Sequence, residues 1–210
     1  MSDHSATPQA SGKSLDHGEA ALIAVFGALW GLMEITIGTA LKGMRLPMSG
    51  MILAMLAAII ALTGYYFVPR RGAILMMGGV AALLKVFSVG TVIAGPFFAI
   101  LIEALVADGI CSLLGRHLLA YLGAGAAMLC YTALHPFITQ GLLFGGRIYE
   151  VYVATARQVG QFLHLESVHL AALVGLYLLL HLLAGAAAGF FAFRLARAVK
   201  IELHKLEHSA

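Results

Sequence analysis

The chain has 210 residues, of which 61% are apolar and 11% charged. A soluble domain carries about 25% charged residues, so there is too little charge here to cover a water-facing surface. The net charge of +3 is spread between the apolar runs instead of gathered on one face, which argues against nucleic acid as a partner.

The first 19 residues are polar and carry Asp3, Asp16 and Glu19. They lack the basic start of a secretory signal peptide and are expected to remain as an uncleaved cytoplasmic tail. A first apolar span is expected over 20–41, long enough to cross the hydrocarbon layer, which takes roughly 20 residues. A loop over 42–47 closes it, since Pro47 cannot continue a helix interior. A second span is expected over 48–68, a charged turn over 69–72 and a third span over 73–89. A Gly/Pro break over 90–96 follows, and Pro96 suits the first turn of a fourth helix ending near Leu114. After a turn at 115–117 a fifth span is expected over 118–144, where Pro136 predicts a kink or an early end. A linker over 145–167 separates it from a sixth span over 168–193. The linker's middle, 149–165, has the composition of a short amphipathic helix lying at the interface. The membrane domain is then 20–198, and 199–210 form a second cytoplasmic tail. A β-barrel is excluded because the apolar runs are continuous rather than alternating. The expected fold is all-α: a polytopic membrane protein of six transmembrane helices in the inner (cytoplasmic) membrane.

Lys and Arg in short loops set orientation. With the N-terminus inside, the cytoplasmic side holds Lys13, Arg70, Arg71, Arg116, Arg194, Arg197, Lys200 and Lys205, against Lys42, Arg45, Arg147 and Arg157 outside. Eight against four favours both termini inside.

Ionisable residues within the apolar runs carry more functional information. Glu34, Lys85, Glu103, Asp108, His135 and His181 each cost about 2.5 kcal/mol or more if they face lipid, so they are expected to face the bundle interior or an aqueous cavity. Counting from each helix start puts Glu34, Lys85 and His135 in the outer half and Glu103 near the middle. A substrate-binding pocket is therefore expected there, walled by Trp30, Glu34, Lys85, Glu103 and His135, with Arg147 and Tyr149 of the linker in a lid. Trp30 lies one turn below Glu34 on the same face. In this reading Lys85 holds a carboxylate, phosphate or carbonyl of the ligand, and Glu34 or Glu103 accepts hydrogen bonds from it. The alternative is a structural ion pair between Lys85 and Glu34 or Glu103. Asp108 lies deeper, towards the cytoplasm, as a helix-packing or coupling residue. For His135 and His181, a plain hydrogen bond to a neighbouring helix is the competing role.

Ala20, Ala24 and Ala28 make a smooth stripe on the first helix that a second helix can approach closely, and Gly27 and Gly31 repeat the spacing on a neighbouring face. The alternative is internal packing. Met44, Met48, Met51 and Met55, with histidines nearby, could bind a soft metal, but no Cys or His stands at ligand spacing among them, which favours adaptable packing. Cys111 and Cys130 read as buried hydrophobes. No metal site or cofactor is expected. Without HExxH, GxSxG or a phosphate loop, no catalytic residue is assigned, and any ATP-driven work needs a partner chain.

The pattern resembles the substrate-binding S-component of energy-coupling factor (ECF) vitamin transporters. The likeness rests on length, six helices, and the alanines of Ala20-Leu22-Ala24-Phe26-Ala28 on the first helix. It rests also on a Gly95-Pro96 opening of the fourth helix, followed by Phe97-Phe98-Ala99 and by Glu103 to Gly109. The resemblance implies a small-molecule ligand, a docking role for Ala20, Ala24 and Ala28, and partners in a transmembrane coupling subunit and ATPase subunits. Two other functions fit the residues less closely: a membrane enzyme or enzyme-assisting protein using Glu103, Asp108 and His135, and a metal-uptake subunit using the methionines.

Overall fold

The computed structural model describes residues 15–46, 48–87, 94–144 and 170–209, with 150, 153–154, 157–158 and 160–161. The described residues are helical with short connections. They include six helices of fourteen residues or more: α1 (His17–Gly43), α2 (Ser49–Phe67), α3 (Ala73–Val86), α4 (Ala94–Leu114), α5 (Leu118–Phe144) and α6 (Leu170–Ser209). Five of them, all except α3, are long and apolar enough to cross a membrane. The chain is thus a multi-pass helical membrane protein. The expected third span is shortened: α3 has 14 residues, about 21 Å at 1.5 Å per residue, and residues 88–93 lie outside those described.

Local chemistry explains the ends. Asp16 accepts from the backbone N–H of His17 at 2.8 Å, and Glu19 reaches back to the N–H of Asp16 at 3.3 Å, a reciprocal cap that starts α1 inside the expected tail. α3 opens on Gly72, whose φ of 84° suits a residue without Cβ. Its exposed N–H groups are satisfied from another helix. The Asp108 carboxylate of α4 accepts from Gly72 N at 2.9 Å and Ile74 N at 3.0 Å, and Ser112 donates to it at 3.1 Å. α5 runs through Pro136 to Phe144, so the proline does not end it. α6 has 40 residues, about 60 Å of helix. The segment expected as a tail after 198 continues it to Ser209, because no Gly or Pro follows Gly189 and Lys205 pairs with Glu202 at 3.0 Å.

The helices close a ring. α1 packs on α3, α3 on α4, α4 on α5, α5 along α6, α6 on α2 and α2 on α1; α2 also meets α5. In lipid there is no hydrophobic drive between helices, so small residues and close backbone approach hold such a ring. Ala57, Ala58 and Ala61 of α2 are fully buried. The tightest crossing joins α5 to α6: a Cβ on Gly125 would collide with the Gly185 carbonyl, and one on Gly189 with the Tyr121 carbonyl. Gly27 and Gly31 of α1 are covered by Val80 and Leu84 of α3, so this stripe is internal packing. Ala24 is exposed, Ala20 and Ala28 are half-buried, and their neighbours Val25, Leu29 and Leu32 are exposed. That face of α1 turns away from the bundle.

One end of the ring gathers positive charge. Arg70 pairs with Glu19 at 2.9 Å, and Arg116 donates to the Tyr66 carbonyl at 3.2 Å while lying over the Tyr66 ring. Arg194 and Arg197 stand over Phe190 and Phe193 on the same helix that continues to Lys200 and Lys205.

Candidate functional site

At the opposite end, where α2 and α4 begin and α5 finishes, a cavity of about 570 Å³ opens among α1 to α5. Four of the expected site residues line it: Glu34, Lys85, Glu103 and His135. Its remaining wall is largely apolar, with Leu53, Ala54, Pro96, Ala99 and Ile100. The size falls within the roughly 300–1,000 Å³ of ordinary small-molecule sites, which also combine apolar walls with a few placed polar groups.

Lys85 and Glu34 meet across α3 and α1. The ammonium donates to the Glu34 backbone carbonyl at 2.7 Å and lies 3.4 Å from its carboxylate. The Glu34 residue is buried and the lysine side chain is only about 10% exposed. The structural ion pair that the sequence left open as an alternative is thus formed, with Glu34 as the partner. Gly38, one turn beyond Glu34, lies beside the lysine: a Cβ there would make an ordinary contact with Nζ at 3.5 Å.

Glu103, only 5% exposed, approaches from α4. Its hydrogen-bond partner among the described residues is Thr132, whose hydroxyl donates to Oε1 at 2.8 Å and is also 3.0 Å from the Met128 carbonyl. His135 Nδ1 shares a hydrogen bond with the Tyr131 hydroxyl at 2.8 Å. Thr139 donates to the His135 carbonyl at 2.9 Å. Pro136 lies between these residues on the cavity wall. It has no N–H, so the Thr132 carbonyl loses its i→i−4 hydrogen bond. An acceptor thereby becomes available in the stretch of α5 that lines the cavity.

Trp30 is not on this wall. It is fully buried beneath, beside Gly78 of α3, whose missing side chain lets Ala104 of α4 approach closely. Its Nε1 has no hydrogen-bond partner among the described atoms. Arg147 and Tyr149, expected in a lid, lie outside the described residues. Asp108 is remote from the cavity, at the other end of α4, and its carboxylate caps α3. His181 is also elsewhere: its Nδ1 donates to the Tyr177 carbonyl one turn back on its own helix at 2.9 Å, rather than to a neighbouring helix. Met51 and Met55 pack against the core, and Met44 is exposed. The described residues hold no group of three His, Cys, Asp or Glu that could bind a metal.

Sequence reasoning missed Thr132, Pro136 and Thr139. The signal was present: Thr132, His135 and Thr139 are spaced i, i+3, i+7, one polar stripe on an otherwise apolar helix. No family model, no curated protein and no solved structure matches this chain.

Proposed function

We propose that this chain is the membrane-embedded substrate-capture subunit of an ECF-type importer for a vitamin-like small molecule. The observation that supports the reading best is the cavity: several polar groups converge on one end of an apolar bundle, away from the end rich in Arg and Lys. By the positive-inside rule the Arg-rich end is cytoplasmic, so both termini are inside and the cavity faces out. In this reading the chain crosses the inner membrane six times. The chain carries no phosphate loop, so energy comes from separate ATPase subunits through a transmembrane coupling subunit. The outward face of α1, with Ala20, Ala24 and Ala28, is the coupling surface, since small side chains let a partner helix approach closely.

The test begins with the full chain purified from its own membrane and analysed by mass spectrometry for copurified small molecules. Uptake of the identified molecule is then measured in cells with and without the coupling and ATPase subunits. Uptake that persists without those subunits would overturn the ECF assignment, and a purified chain that retains no molecule and binds none would overturn capture itself.

A further inference from the structure

We propose that the captured molecule is a small organic cation, carrying an ammonium, amidinium or protonated ring nitrogen, and that the Glu103 carboxylate receives it. This inference rests on the capture reading and adds the charge of the ligand to it.

Two carboxylates, Glu34 and Glu103, face one cation, Lys85. That cation is already engaged: its ammonium contacts both the carbonyl and the carboxylate of Glu34. Capturing an anion through Lys85 would pull the lysine from two oxygens of α1 and leave the Glu34 carboxylate buried beside the incoming charge. Glu103 differs. It is held at Oε1 by one hydroxyl, and a hydroxyl does not neutralise a carboxylate. A buried carboxylate inside a membrane bundle is costly until an opposite charge reaches it, and the cavity is the route by which one arrives.

The neighbouring wall matches the same head group. Thr132 uses its hydroxyl proton on Glu103 or Met128, which leaves oxygen lone pairs, and Pro136 frees the Thr132 carbonyl. The α5 side of the cavity therefore offers acceptors around Glu103, which suits a ligand with several N–H donors. Leu53 and Ile100 supply apolar surface for the body of such a molecule.

The test uses the full-length chain in nanodiscs and three probes of nearly equal shape: benzamidinium, benzamide and benzoate. Binding is followed by ligand-observed NMR and by fluorescence of Trp30, the single tryptophan. One charge-assisted hydrogen bond at Glu103 makes benzamidinium about ten- to a hundredfold tighter than benzamide, with benzoate weakest. Glu103→Gln, of the same shape, is expected to erase that preference. Tightest binding by benzoate, or a cation preference that survives Glu103→Gln, would refute the cationic class while leaving small-molecule capture intact. If none of the three binds the native chain saturably, the cationic class is refuted, while capture itself stands or falls with the copurified molecule. The ranking on the native chain needs no variant, so a poorly folding Glu103→Gln does not protect the proposal.

Discussion

Asp108 is the residue whose replacement tests the architecture most sharply. Its carboxylate bonds the N–H of Gly72 and of Ile74, the donors that open α3, and it does so from the far side of the α3–α4 contact. Asp108→Ala strands both. The Ile74 N–H is buried and costs about 1–3 kcal/mol when left without a partner, whereas the half-buried Gly72 N–H can turn to water and adds less, so the loss should be about 1–4 kcal/mol. Asp108→Asn keeps one acceptor oxygen and turns an amide N–H towards the other donor, so about half of that loss is expected. The assay is reversible unfolding of the purified chain in mixed micelles with increasing SDS, native and variants side by side. The cap lies at the opposite end of α4 from the cavity, so ligand affinity of the folded fraction should stay unchanged. An Asp108→Ala variant within about 0.5 kcal/mol of the native chain would refute the reasoning. An Asp108→Asn variant that keeps full stability but loses activity would instead point to chemistry at this carboxylate.

The remaining expectations concern packing, pairing, coupling and orientation. In the same unfolding assay, Gly189→Ala should destabilise strongly because its Cβ meets the Tyr121 carbonyl, whereas Gly175→Ala, with open space around it, should be neutral or gain about 0.5–1 kcal/mol. Lys85→Met leaves Glu34 buried without its ammonium and should cost about 3–5 kcal/mol, most of it recovered by adding Glu34→Gln; no recovery in the double variant would show that the pair does not hold α1 to α3. Ala24→Trp should leave ligand binding intact and block uptake, and unchanged uptake would remove this face of α1 as the coupling surface. A cysteine at Arg71 should react with a membrane-impermeant thiol reagent only in opened cells, and one at Arg157 in intact cells; the reverse pattern would invert the orientation.

Much of the architecture was legible in the sequence because the bilayer imposes a length and a composition on anything that crosses it. Apolar runs bounded by Pro47, by the turn at 69–72 and by Gly115 locate four long helices to within a few residues, and α5 begins and ends where expected, whereas α6 runs on past the expected 193 to Ser209. The cost of burying charge picked out Glu34, Lys85, Glu103 and His135, and depth along each helix predicted that they meet. That inference needs only rise per residue and the thickness of the membrane.

What the sequence alone did not decide was partnership, since helix rotation and neighbour choice depend on the packed ring. Lys85 was compatible with Glu34, Glu103 or a ligand, and only the contact of α1 with α3 assigns it to Glu34. Asp108 read as a helix-packing or coupling residue, and only the contact of α4 with the start of α3 shows which N–H groups it bonds. Trp30 shares a helical face with Glu34, yet the packed helices bury the indole fully in the core and off the cavity wall. Helix spacing specifies which residues share a face, but it does not say what that face meets. In lipid, where every face can be apolar, close contact between small residues makes that choice, and it becomes visible only once the helices are assembled.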